Sequence, residues 1–341
     1  MQTVHLAPTD IHAVATDILQ LLGTPKDSAA LVADSLVGAQ MVGHDSHGVV
    51  RLTEYASFVE RRVVTPGATA TVASQFAAIS TVDGNHGWGQ PAATFATRLA
   101  GDAAHDFGIG ASSLRNCNHV GRIGEYAEQL AERGLVSIIW CNADPCVAPF
   151  GGRDRMLGTN PFAVGVPVDG AHPFILDFAT AATAEGKLRV ARSEGRDVPR
   201  GAIIDSQGNP STDPSAFYDG GSLLPFGGHK GYAMSAFIEL LGGGLSGNHP
   251  SITSRYRIGN GVVIVAMRPE AFDASDFGID IGETIEALRA STPIDTQSPV
   301  LIPGDVEATV RAQRAESIPV GESIWTDVTR LRDSLSSSTR F

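Results

Sequence analysis

The apolar positions of the chain change their period twice. Ile11, Val14, Ile18, Leu21 and Leu22 recur at helical spacing behind Thr9-Asp10, which predicts a first helix capped at that pair. A second helix is expected from about Asp27 to Met41, ending at Gly43. A third carries Leu52, Tyr55, Phe58 and Val59, and Pro66-Gly67 closes the region. From about residue 68 short β-like runs take over, at Thr69–Ala73, Ile79–Val82, Ile109–Leu114, Leu135–Cys141, Phe162–Val166, Phe174–Phe178 and Val262–Ala266. Helices are expected among them at Ala92–Phe107, at about Gly121–Arg133 and at about Gly231–Leu241. Helical spacing returns at Val306–Arg314 and Thr326–Leu335, and Ser334–Ser338 reads as a frayed end. The order is mixed α/β without clean βαβ repeats, between helical ends that can pack on one another. The expected division is a discontinuous helical part, residues 1–67 and 305–341, around an inserted α/β part, residues 68–304.

Composition narrows the function classes. The chain has 341 residues, 43% of them apolar, enough for a sizeable core. With 25 basic and 37 acidic residues the net charge is −12, and no Lys/Arg cluster offers a path for a phosphate backbone. Apolar runs fall well short of the ~20 residues of a membrane helix. Residues 1–9 lack the basic and apolar regions of a signal peptide. Three cysteines do not make a disulfide framework, so the expected compartment is the cytoplasm, with neither nucleic acid nor membrane as partner.

The motif search fails first where a glycine-rich α/β chain is most tempting. Gly242-Gly243-Gly244-Leu245-Ser246-Gly247 matches G-x-G-x-x-G but follows a helix, whereas a dinucleotide fingerprint must follow a strand and open a helix. There is no P-loop, no H-E-x-x-H and no G-x-S-x-G. Cys141 and Cys146 have no second pair, so no metal is expected.

What remains is a set of polar strings in apolar surroundings. In Ser46-His47-Gly48-Val49-Val50-Arg51, a helix starting near Gly48 would put His47 at its cap and Arg51 in its first turn. An Arg can grip a carboxylate with two parallel hydrogen bonds, and a His can exchange a proton with a carbonyl or hydroxyl. A solvated helix start with an incidental His is the plain alternative. Asn118-His119-Val120-Gly121-Arg122-Ile123-Gly124 opens an expected helix directly after a strand, where backbone amides would face an anion; a simple capping turn is the alternative. Gly158-Thr159-Asn160-Pro161, Asp177-Phe178-Ala179-Thr180 and Gly227-Gly228-His229-Lys230-Gly231-Tyr232 read alone as turns, or as places where a ribose or phosphate is held.

Taken in order, and with Gly186-Lys187 and Pro303-Gly304-Asp305, these strings resemble the malate/L-lactate dehydrogenase family of the second type, over roughly residues 5–320. The resemblance implies a homodimer with its active site at the subunit interface, and a non-Rossmann NAD- or NADP-binding part inserted into a helical dimer-forming one. It implies an oxidoreductase moving a hydride to or from C2 of a small 2-oxo or 2-hydroxy acid. His47 would carry the proton with Ser46 beside it, Arg51 would clamp the carboxylate, and His119 would face substrate and nicotinamide, itself a candidate proton carrier. His47, His119, Gly121, Asn160, Asp177, Ala179, Thr180, His229, Lys230, Gly304 and Asp305 fall where the family contacts the dinucleotide. Ureidoglycolate, sulfolactate and diketogulonate activities occur in the same family. Its cyclic imino-acid reductases commonly place an Asp where this chain has Lys187, which weighs against that alternative. Ala181 stands where many members have Ser, and Asp305 where Glu is common. A basic residue facing the ribose 2′-phosphate would mark NADP, and Arg189 and Arg192 are the candidates.

Overall fold

A computed structural model describes residues 2–338. In chain order the first elements are β1 (Thr3–Leu6), α1 (Pro8–Leu21), α2 (Lys26–Met41) and α3 (Arg51–Glu60). Then come β2 (Thr71–Phe76), β3 (Ile79–Asp83), α4 (Gly89–Phe107), β4 (Ile109–Cys117), α5 (Gly124–Ala131), β5 (Val136–Asn142), β6 (Phe162–Val166) and β7 (Phe174–Phe178). A compact excursion follows: α6 (Glu185–Ser193), β8 (Ile203–Ile204), β9 (Pro210–Ser211), α7 (Ser215–Tyr218) and β10 (Ser222–Leu223). The remainder is α8 (His229–Ile238), β11 (Asn260–Met267), α9 (Phe277–Arg289), α10 (Asp305–Gln313), β12 (Ile318–Gly321) and α11 (Glu322–Ser338).

Three apolar clusters organise these elements. The first lies under a seven-stranded mixed sheet of order β2-β3-β4-β11-β5-β6-β7, in which only β3 and β4 run parallel. β11 sits at its centre, and its unbroken Val262–Ala266 run matches a strand covered on both faces. Ala93, Ala96, Ala100 and Ala104 form the buried stripe of α4. They let α4 press so closely on β4 that a Cβ on Gly110 would lie 2.2 Å from the Ala100 carbonyl oxygen. The second cluster joins α1, α2 and α3 to the C-terminal elements through Ile318, Val320 and Val328, and β1 pairs antiparallel with β12, Thr3 opposite Gly321. The third, with Val147, Leu157, Leu188, Ile203, Phe217 and Leu223, fills the excursion around a small sheet of order β10-β8-β9.

Several expectations shift. The first helix starts at Pro8 with no side-chain cap, because Pro at N1 supplies the φ of a helix start without donating an amide. The exposed run Thr71–Phe76 replaces Thr69–Ala73 as the edge strand. Ser334–Ser338 continues α11 instead of fraying. α9 follows a stretch that carries no helical expectation at all, and Ile285 is its one buried side chain. Residues 339–341, part of the expected C-terminal helical segment, lie outside the described residues.

Candidate active site

α2 ends at Met41, and Gly43 at φ 86° turns the chain into a single 3₁₀ turn, Asp45–His47. A Cβ on Gly48 would stand 2.1 Å from Gln40 Cγ, so the turn is pressed flat onto α2. α3 begins only at Arg51, not near Gly48. His47 therefore belongs to its own short turn and not to the helix cap. The Arg51 Nε donates to the Ser46 carbonyl at 2.7 Å, tying the helix start back to that turn, while Nη1 donates to Glu54 at 2.6 Å. Nη2 has no protein partner among the described residues. The two-handed grip on a carboxylate expected for Arg51 is thus reduced to the Nη2 edge unless Glu54 yields.

His119 arrives from the other side, on the loop leaving β4. Asn118 Oδ1 accepts its amide at 2.8 Å, and the start of α4 presses on the loop: a Cβ on Gly89 would lie 2.2 Å from the Asn118 carbonyl oxygen. The His47 and His119 rings stack with centroids 5.5 Å apart and planes 19° from parallel. His119 Nδ1 is 2.9 Å from the hydroxyl of the fully buried Tyr55, which accepts from Gln90 Nε2 at 2.7 Å. With its oxygen so occupied, Tyr55 has its own proton to give to Nδ1, which leaves the His119 proton on Nε2. Ser46 Oγ lies 3.2 Å from His47 Nδ1.

Electrostatics keep both rings neutral in the free protein. Burial, then Arg51, His44 and Arg122, push the His47 pKa down to about 3. Burial, then Arg51 and His47, hold His119 well below the usual histidine value. Burial raises the Tyr55 phenol, so it stays a donor.

The helix expected from Gly121 starts at Gly124, and its end is not open to a ligand. Asp177 Oδ2 accepts the Gly124 amide at 2.9 Å, so the anion at this helix N-terminus comes from the chain itself. Burial raises the Asp177 pKa, with Arg122 opposing. Arg122, 4% exposed, donates from Nη2 to Glu128 at 2.8 Å. Gly121 carries φ 77°, and a Cβ there would lie 3.0 Å from Ser35 Oγ.

Other expected contact residues are also spent on protein partners. Asn160 is fully buried: Oδ1 accepts the Ala143 amide at 3.1 Å, and Nδ2 donates to Glu239 at 2.7 Å. Thr180 Oγ1 donates to the carbonyls of Thr159 and Asn160. Asp305 accepts the Ile302 amide and pairs with Arg289 at 2.6 Å and His172 at 3.1 Å, and Gly304 packs against Pro173 and Ile175 at the start of β7. Ala179 joins β7 to Thr180, and the Phe226 amide donates to the Thr180 carbonyl, which brings this strand end to the start of α8. There the geometry suits a phosphate. Gly227 and Gly228 have φ of 55° and 63°, a Cβ on Gly227 would meet nothing within 4 Å, and His229 and Lys230 are exposed at the helix N-terminus. The G-x-G-x-x-G string instead continues α8 as a π-helical stretch, Glu239–Leu245, packed on β5 and β11.

Sequence reasoning placed Tyr55 in the core stripe of α3 and missed its hydroxyl. A Tyr fully inside a core needs a partner for its oxygen, and that was the signal to follow. Gln90 and Glu239 gave no comparable sign. Among the described residues no group of three or more His, Cys, Asp or Glu could hold a metal, and no helix is long and apolar enough to cross a membrane.

Comparisons with known proteins bear on this geometry. The malate/L-lactate dehydrogenase family model matches residues 6–329. Hydroxycarboxylate dehydrogenase B of Escherichia coli K12 is 39% identical over 325 residues, covering 92% of this chain and 90% of that protein. An E. coli protein solved as a candidate malate/lactate dehydrogenase superposes with a TM-score of 0.93 at 36% identity, covering 97% of this chain and 95% of that one. A Δ1-piperideine-2-carboxylate reductase from Pseudomonas syringae superposes with a TM-score of 0.85 at 31% identity, covering 97% and 100%. The chain belongs to the malate/L-lactate dehydrogenase family.

Proposed function

We propose that the protein is a nicotinamide-dependent dehydrogenase acting at C2 of a small 2-hydroxy or 2-oxo acid. The observation that carries this reading is the stacked His47/His119 pair with Arg51 beside it. A bound nicotinamide would supply or accept the hydride. The residues fit such a cofactor at the α8 N-terminus, where His229 and Lys230 flank the amides available to a phosphate. Asn160, Asp177, Thr180 and Asp305 support this reading as residues that shape the surrounding loops.

Arg51 Nη2 holds the substrate carboxylate. His119, with its proton on Nε2, donates a hydrogen bond to the C2 oxygen and orients it. His47 takes the proton from the hydroxyl in oxidation and returns it to the carbonyl in reduction, with Ser46 steadying its ring. The depressed His47 pKa keeps the ring neutral in the free protein, the form that can accept a proton. A bound carboxylate cancels part of the Arg51 field, which raises that pKa towards the donating range.

Of the two candidates for a ribose 2′-phosphate, Arg189 is held by Glu185 and Arg192 lies over the Tyr218 ring, which favours NAD over NADP. Gly186 abuts Ser46, at 2.8 Å from a Cβ to Ser46 Cβ, so position 187 adjoins the catalytic turn. A lysine there cannot accept a proton from a Ser–His relay as an Asp would, which favours the hydroxy-acid reading over imine reduction. By family resemblance the proposal extends to a cytoplasmic homodimer, with residues 1–67 and 305–341 as the dimer-forming part and residues 68–304 binding the cofactor.

The test is oxidation of NADH and NADPH against a panel of 2-oxo acids and Δ1-piperideine-2-carboxylate. Turnover of a 2-oxo acid with NADH is expected. Turnover of the cyclic imine alone would overturn the assignment.

A further inference from the structure

Glu239 opens the π-helical stretch after α8 and is 2% exposed, yet no cation pairs with it among the described residues. Both oxygens instead take donors. Asn160 Nδ2 reaches Oε2 at 2.7 Å, Asn142 Nδ2 reaches Oε1 at 3.3 Å, and the Ser251 amide also donates to Oε1. A buried carboxylate without a counter-ion is costly and is tolerated only where hydrogen bonds satisfy it.

The bonds beyond Glu239 run to two separate loops. Along one arm, Asn160 Oδ1 accepts the Ala143 amide at 3.1 Å, and its carbonyl accepts from Thr180 Oγ1. Asn160 is held there at φ 35°, a conformation strained for a residue with a side chain. That arm fixes the Gly158–Pro161 loop against the end of β7. Along the other, Asn142 accepts the Gly261 amide at 2.8 Å through Oδ1, and its carbonyl accepts from Asn260 Nδ2 at 2.8 Å. Asn260 Oδ1 then accepts the Val120 amide at 3.1 Å, one residue beyond His119.

We propose that Glu239 is a positioning residue that sets the His119 loop and the Asn160 loop in register with each other through Asn142, Asn160 and Asn260. The proposal rests on the dehydrogenase reading above. It explains why an acceptor-only group is needed: every partner of Glu239 is a donor, so Glu239→Gln can offer its one oxygen to one arm only and sets an amide hydrogen against the donors of the other, which breaks the register between them. Asn260→Ser, in contrast, cuts only the arm that ends beside His119.

The experiment measures NADH and NADPH binding by fluorescence, together with kcat and KM for the best 2-oxo acid, in wild type, Glu239→Gln and Asn260→Ser. Glu239→Gln is expected to weaken dinucleotide binding and lower kcat, each by about tenfold, the scale of sub-ångström misplacement of reacting groups. Asn260→Ser is expected to lower kcat about tenfold while leaving dinucleotide Kd within about twofold. A merely structural Glu239 would lower the melting temperature and leave both readouts intact per folded molecule, and that result overturns the proposal. If Glu239→Gln does not fold, the Asn260→Ser split decides: an unchanged kcat overturns it. A wild type that binds neither dinucleotide sinks the dehydrogenase reading and takes this proposal with it, whereas a wild type that binds beside unaffected variants sinks only the register.

Discussion

The His47/His119 pocket and the α8 N-terminus serve the same reaction and are built in opposite ways. In the pocket the reacting side chains are tied into the fold: Tyr55 holds His119 and is itself held by Gln90, Ser46 meets His47, and Arg51 is bound at two of its three nitrogens. At α8 Gly227 leaves open space, and the exposed His229 and Lys230 side chains are held far more loosely, His229 by an edge contact with Phe150. The pocket fixes protons and therefore needs fixed distances. The helix end gathers a charge that arrives with the ligand, for which field and access matter more than a locked rotamer. Damage should accordingly be steep in the pocket and shallow at the helix end.

The sharpest break of that contrast is His47→Ala, expected to lower kcat by about 10²–10⁴-fold and to change the dinucleotide Kd far less, measured by steady-state kinetics and fluorescence titration. Arg51→Gln should raise KM for the acid by about 10- to 100-fold. It should also move the His47 pKa up, because a cation that depresses it is gone; imidazole NMR reads the shift directly. Tyr55→Phe leaves Gln90 and His119 each short of a partner, and should cost about 1–3 kcal/mol in denaturant unfolding along with a drop in kcat.

Acid should act on the pocket as well. The folded-state His47 pKa of about 3 lies below the usual 6.5, so between those values the unfolded chain binds the proton that the folded chain refuses. Stability attributable to this group is complete above pH 6.5 and is lost progressively as pH falls towards 3, and His47→Gln should flatten that slope in pH-dependent melts. Lys230→Ala, the smallest change, should weaken dinucleotide binding only about three- to tenfold and leave kcat alone. A Lys230→Ala effect as large as that of His47→Ala would erase the distinction between the two regions.

How legible each region was follows from the same difference. Ser46, His47, Arg51 and His119 lie in short local strings, and the sequence brought them to notice before any fold was known. The seven strands of the central sheet were readable from period changes, down to the bounds of β6 and β7, whereas β1, β12 and the α6–β10 excursion were not read. What stayed hidden depends on contacts between distant segments. Nothing near Asp177 in sequence says that its carboxylate caps α5, fifty-three residues away. Nothing near Glu239 says that its oxygens meet Asn142 and Asn160. The helix α9 was legible too: Phe277, Ile281, Ile285 and Leu288 recur at helical spacing, a stripe the sequence reading passed over although only Ile285 is buried.

The pairing of β1 with β12 has a consequence for how the chain is made. Thr3 leaves the ribosome long before its partner Gly321, with nearly the whole described sequence between them. At 5–20 residues per second the strand waits roughly 15–60 s. Through that interval the apolar stripe of α1, with Ile11, Ile18 and Leu19, has no C-terminal cover. The face that Ile318, Val320 and Val328 later cover stays open until those residues are made, and a nascent-chain chaperone would find its surface there.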